Sequence, residues 1–349
     1  MKFHTAVIIL TPPFAKLKMR VLPLPANRSY QRWFLAILCV VAAFSANAQQ
    51  ADPEKLIDAG HWKKARVLVE ARRSQSPNDA LANFLLSQIH NAFGDYTSPL
   101  PLAEKAVALD GHVAKYHRQL AEALGLEAQH AGALRLIFLA RQFRSEIDLA
   151  ISLDPRDIQA HRDLLEYYLV APGIAGGDLQ KATAMAKQIG FLDAAEGLLA
   201  EARVASFRKR FGDAGELLRQ ASALQPPNYR ARLALAQYYS APESFNPVMA
   251  SNAAEELLKL DPGRVEPYAI LAQVYAEQCN WNALDSLLSE ATQRNSDDLA
   301  PYYRAAETLL AEGREPARAA RYLRVYLEHE PEGNEPTLAD ARRKLAAAN

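Results

Sequence analysis

Cysteine is nearly missing from this chain: Cys39 and Cys279 are the two in 349 residues. Cys39 falls in a segment read below as a removable leader, which leaves Cys279 with no internal partner. An oxidising compartment is therefore tolerated but not exploited. Catalytic signatures are missing as well. The histidines beyond the leader are His61, His90, His112, His117, His130, His161 and His329. None forms a His-Glu-x-x-His pair or a ligand cluster at a recognised spacing. His112 and His117, five apart, do not share a helical face. No Gly-x-Ser-x-Gly elbow occurs. Cys279 reads as a buried, inert thiol, and Glu255-Glu256 and Asp297-Asp298 as solvating pairs. No catalytic residue, cofactor or metal is expected, and an enzyme would have to hide in an irregular part of the chain.

Acidic residues are absent from the first 48 positions, which hold six basic ones: Lys2, Lys16, Lys18, Arg20, Arg28 and Arg32. An apolar run from Trp33 to Phe44 follows, then Ala46-Asn47-Ala48. A basic region, a short apolar segment and a small-x-small site predict a secretory signal peptide cleaved after Ala48. An uncleaved anchor is the rival reading, but the run is short of the ~20 apolar residues a span needs. Translation starting at Met19 instead of Met1 gives the leader a more ordinary length. Without residues 1–48 the 40 basic residues fall by six while the 40 acidic ones all remain. That acidic balance gives no support to nucleic-acid binding, which calls for a basic stripe. A periplasmic or secreted protein with no stable membrane span is expected.

Half of the residues are apolar and nothing is low-complexity. The positive signal is a period. Pro77 and Gly111 are 34 apart, as are Pro262 and Ser296, with Pro331 35 further on; Gly60-x-Trp62 returns as Gly94-x-Tyr96. Such a period predicts an array of helix pairs, each burying its apolar face on its neighbours. Eight units follow, at about 52–77, 80–111, 113–155, 157–191, 193–226, 228–262, 265–296 and 299–331, by the ~34-residue register. Turns are expected at Gly60, Gly94, Gly212-Asp213 and Gly313. The third unit is too long, and its second helix is expected to span Ala131 to Leu153 with Leu134, Ile137, Phe138, Ile147, Ala150 and Ile151 on the apolar side. The fourth carries an enlarged loop, Ala171 to Gly177, with Asp178 as N-cap. Thr337 to Ala348 reads as a polar capping helix.

Trp281, Ala291, Leu271-Ala272 and Tyr275, with Pro at the unit ends, resemble the tetratricopeptide repeat (TPR). The resemblance covers residues 52–331 and departs from the pattern in the third and fourth units. It implies an all-α, right-handed α-solenoid of about eight antiparallel helix pairs with a C-terminal capping helix. The expected divisions are a leader at 1–48, N-terminal repeats at 49–155, C-terminal repeats at 156–331 and a cap at 332–349. The resemblance also implies a concave groove lined by the first helix (A) of each pair, holding a peptide or a partner's helix. No cluster of Lys, Asn and Arg suited to a C-terminal carboxylate is found.

By register, the groove-facing positions are expected to include Phe84, Gln88, Arg162, Glu166, Gln273, Glu277, Arg304 and Thr308. They are either a mixed polar recognition surface or an ordinary solvated face. Tyr167-Tyr168, Tyr238-Tyr239 and Tyr302-Tyr303 either fill inter-helix space or turn one ring toward the groove. The Gly-rich loop at 172–177 lacks the Lys-Ser/Thr of a phosphate loop and reads as a structural turn. The function expected is a non-catalytic scaffold or adaptor of the bacterial cell envelope, binding a peptide or partner protein. The alternative is an accessory helical subunit of an envelope polysaccharide-export or outer-membrane assembly complex.

Overall fold

A computed structural model describes residues 52–95, 97–333 and 336–348. The leader, its cleavage site, Cys39 and Tyr96 lie outside them. Among the described residues no strand occurs, and no helix is long and apolar enough to cross a membrane. Residues Pro53–Asn349 cluster as one compact unit.

The helix pairs follow the predicted period. They are α1 (Pro53–Asp58) with α2 (Trp62–Gln75), α3 (Ala80–Ala92) with α4 (Pro99–Leu109), and α5 (Ala114–Gln129) with α6 (Ala133–Leu153). Next come α7 (Ile158–Val170) with α8 (Leu179–Leu192), and α9 (Ala194–Phe207) with α10 (Phe211–Ala223). The last are α11 (Tyr229–Ser240) with α12 (Pro247–Leu260), α13 (Glu266–Glu277) with α14 (Trp281–Arg294), and α15 (Ala300–Ala311) with α16 (Pro316–Leu327). The single helix α17 (Leu338–Ala348) packs on α16 and α15, as a cap should. Each helix packs on the next, and A helices stack across units, as α13 does on α15 and α9 on α11. The apolar interior is accordingly a string of clusters and not one central core. This is an α-solenoid.

One turn recurs within the pairs. Gly60, Gly94, Lys209, Cys279 and Gly313 all have positive φ, between 54° and 84° in every case. Each donates its N–H to the carbonyl three residues back, and the following N–H reaches five back, as His61 does to Leu56 and Asn280 to Tyr275. That is the left-handed helix stop usually given to glycine. The fifth unit therefore turns at Lys209, ahead of Gly212-Asp213, and Gly212 lies within α10. Cys279 occupies the stop of the seventh unit and is exposed, which corrects the expectation of a buried thiol. Lys and Cys accept this φ at a steric cost because the surrounding bonds repeat without them.

Most contacts run between successive units; Lys115 of the third also reaches Glu54 of the first at 3.0 Å, and at one seam loops of the last units meet the first pair. The Lys63 N–H donates to Glu332 Oε2 at 2.8 Å, and its ammonium to the carbonyls of Glu330, at 2.6 Å, and Asp297. Arg66 grips both oxygens of Glu330 at 3.1 Å, and Arg264 reaches the carbonyl of Asp58 at 2.8 Å. These bonds join residues more than 200 apart in sequence. Burial pushes the Glu332 carboxyl up to about 7 and that of Asp298 up to about 6.

Candidate functional site: a cleft between the third and fourth helix pairs

The long third unit shapes the site. The 21-residue α6 packs along α5 and buries Leu139, Ala140, Ile147 and Ala150. Leu134 is 87% and Phe138 60% exposed. The first turns of α6 thus carry apolar side chains that no neighbour covers, contrary to the packing expected for those two residues. The A helices α5 and α7 stand apart, and between them and α6 opens a cleft of about 700 Å³.

Its walls are mostly apolar: Leu126, Leu136, Ala140, Phe143, Tyr167 and Pro172. Phe143 stacks on Tyr167 at 5.5 Å, and the Tyr167 hydroxyl donates to the Ala175 carbonyl, which ties the wall to the 172–177 loop. Gly125 lets Phe143 approach α5; a Cβ there would sit 3.3 Å from its ring. Val170 and Ile174, 64% and 73% exposed, continue the apolar surface beside the mouth.

The polar edge comes from the A helices. Arg118, largely buried, bonds Glu122 Oε1 at 2.6 Å and lies 3.7 Å from Asp163 and 3.9 Å from Asp157. Burial pushes the Glu122 carboxyl up to about 7 against the pull of Arg118, and the Asp163 and Asp157 carboxylates add to the rise. Burial also raises Asp163, against Arg118. Further along, Arg203 holds Glu166 at 2.6 and 2.8 Å, and Arg230 and Arg162 converge on Glu196, the latter at 3.9 Å. Desolvation brings Arg162 down to about 10, with Arg230 adding to the fall and Glu196 opposing it. These bridges link α5, α7, α9 and α11, so the charges stitch units together as well as rimming the cleft. No Ser, Cys or His lines it.

The residues singled out from sequence divide. Glu166 lines the cleft and Arg162 stands beside it. Phe84 is buried, 5.1 Å from the Tyr116 ring, and Thr308 is buried with its hydroxyl on the Arg304 carbonyl. Neither faces solvent, because each falls on the inter-helix side of its A helix. Gln88 is half-buried. Gln273 donates to the Ser240 carbonyl at 2.8 Å and to Glu277 at 3.4 Å, and Arg304 pairs with Glu307 at 2.6 Å; all are remote from the cleft in sequence. Of the paired tyrosines, Tyr167, Tyr168 and Tyr303 are buried, while Tyr238, Tyr239 and Tyr302 are half-buried. In the glycine loop, the N–H groups of Ala175, Gly176, Gly177 and Asp178 all bond carbonyls of the same segment or of α7, so these four are not available to cradle a phosphate. A Cβ on Gly177 would fall 1.8 Å from the Ala171 oxygen, so the glycine serves the turn.

Arg118 and Glu122 were missed. They stand five and nine residues past the N-cap Val113, the same offsets as Arg162 and Glu166 past Asp157 and Phe84 and Gln88 past Asp79. Extending the register through the irregular unit finds them.

No family model matches the chain, and no curated protein does. Solved structures do. Over 82% of this chain and 58% of the other, it resembles the yeast Tom70 structure with TM-score 0.54 at 14% identity. Over 54% of this chain and 96% of the other, it resembles TTC0263, a thermophilic TPR protein of Thermus thermophilus, with TM-score 0.47 at 21% identity. The chain spans little more than half of the Tom70 structure's length. What the Tom70 likeness establishes is the fold, an all-α solenoid.

Proposed function

We propose that this chain is a non-catalytic scaffold of the bacterial cell envelope that takes an apolar segment of a partner protein into the cleft between α5, α6 and α7. The observation that carries the reading is the cleft itself: apolar walls continued outward by Val170 and Ile174, with carboxylates and arginines at its edge. Exposed apolar patches rimmed by polar groups are typical of binding sites. Covering these two side chains yields roughly 1.5 kcal/mol or more apiece before association costs. A helix presenting apolar residues at i, i+3 and i+4 fits such a groove. The leader read from residues 1–48 supports placement in the envelope, and fusion of that segment to alkaline phosphatase, which needs disulfides formed only after export, tests it; an inactive fusion retained in the cytoplasm would remove the placement.

Charge substitutions test the cleft. Val170→Asp and Leu136→Asp alter exposed and half-exposed positions of the cleft wall, so the fold should survive, and a partner co-purifying with the unaltered protein should be lost. Phe191→Asp, at a 90% exposed site on α8, should retain it. Equal loss in all three, or in none, removes the cleft from the account.

A further inference from the structure

At the seam, three side chains from separate segments converge: His61 from the first turn, Asp297 from the loop before α15, and Glu332 from the loop before α17. One ligand atom from each lies within 4.8 Å of the others. We propose that His61, Asp297 and Glu332 form a site for a divalent metal ion of the zinc class, which fastens the first helix pair to the loops of the last two.

Glu332 is nine-tenths buried and its Oε1 has no hydrogen-bond partner, while its Oε2 is fixed by the Lys63 N–H at 2.8 Å. Both Asp297 oxygens are enclosed. Two buried carboxylates facing one another are costly unless a proton or a cation lies between them. His61 adds Nδ1, 3.5 Å from Asp297 Oδ2. Lys64 offsets part of the charge from the solvent side: it is 55% exposed and lies 2.9 Å from Asp297 Oδ2. The Lys63 ammonium is committed to the backbone carbonyls of Asp297 and Glu330, and Arg66 to the Glu330 carboxylate.

The ligands are held before any ion arrives. His61 follows the left-handed Gly60 and its N–H bonds the Leu56 carbonyl, which fixes its backbone. Lys63 spans both loops that carry the carboxylates. Metal–ligand bonds of about 2.1 Å put two ligands of a tetrahedral ion roughly 3.4 Å apart, so side-chain rotations of about an ångström close the set. One imidazole with two carboxylates suits zinc, and cobalt as its spectroscopic substitute. Calcium seeks six to eight oxygens and gains nothing from the imidazole. Water completes the fourth position.

Titration of the purified full chain with Zn²⁺ by calorimetry, against Ca²⁺ as contrast, should give one saturable Zn²⁺ site and none for Ca²⁺. His61→Ala and Glu332→Gln should each weaken Zn²⁺ binding at least tenfold, with circular dichroism confirming that they fold; Cys279→Ser and His130→Ala should not. Co²⁺ should give weak visible bands without thiolate charge transfer. On the unaltered protein, Zn²⁺ should slow hydrogen exchange around residues 60–64, 295–298 and 330–333, a readout that requires no variant to fold. Absence of saturable Zn²⁺ binding overturns the site. So does binding that survives both substitutions, a thiolate band lost in Cys279→Ser, or protection at other segments.

Discussion

Gly190 and Gly197 face each other where α8 meets α9, and they set up an asymmetric prediction. A Cβ on Gly197 would stand 2.3 Å from the Gly190 Cα and 2.8 Å from its nitrogen; one on Gly190 would meet the Gly197 Cα at 3.6 Å, an ordinary contact. The atoms struck by Gly197→Ala are backbone, and only Asp193 separates the helices, so no side chain can turn aside. The helices must part by about 1 Å, and overpacking of this kind costs roughly 1–3 kcal/mol. Exchanging Gly for Ala inside a helix returns about 0.8–1 kcal/mol, so a net loss of ~1–2 kcal/mol is expected. Gly190→Ala should be neutral or gain up to ~1 kcal/mol. Gly212→Ala, whose Cβ meets nothing within 4 Å near the start of α10, should gain by a similar amount. Urea unfolding followed by circular dichroism, with midpoints compared at constant slope, measures all three. Helix propensity alone predicts the same sign for every one of them. If Gly197→Ala stabilises as much as Gly212→Ala, the close crossing of α8 and α9 is wrong.

Glu122 ties stability to pH. Its folded carboxyl titrates near 7 against a usual value of 4.5, so between those values the folded chain keeps a proton that the unfolded chain releases. Stability should therefore fall as pH rises through that window and level off above it. With a 32% exposed side chain, on the order of 1–2 kcal/mol is expected, and Glu122→Gln should flatten that part of the urea-midpoint profile. An unchanged profile would refute the shift. Cys279→Gly should stabilise by ~0.5–1 kcal/mol, since its φ of 54° suits glycine, and the thermal midpoint reads this directly. Asp178→Ala removes the acceptor for the N–H groups of Gln180 and Lys181 and should cost ~1 kcal/mol, with fraying of α8 visible in hydrogen exchange.

The array is legible because its signals are local and repeated. Pro and Gly mark the unit ends, small residues mark the crossings, and Asp178 is readable as an N-cap from its place before Ala182 and Ala186. The turn in the fifth unit escapes the sequence because Lys209 takes a left-handed position without the glycine that advertises it. Packing direction is less legible: Phe84 lies in an unbroken buried run from Ala82 to Ser87 and Thr308 beside the buried Leu309, burial on several sides of the helix that the ~34-residue spacing does not resolve. The cleft depends on the excess length of α6, visible in the sequence, but which apolar side chains of α6 line it depends on where α7 goes. The seam is not legible at all. It joins His61 to Asp297 and Glu332, and a repeat period describes only how neighbours stack.

A photo-reactive phenylalanine analogue at position 170, on the cleft wall and 64% exposed, tests the central claim most directly. Activated in living cells, it should cross-link to one partner protein through an apolar segment of that partner, while the same analogue at the 90% exposed position 191 gives no such product. No cross-link at 170, or the same products from both positions, would contradict the account.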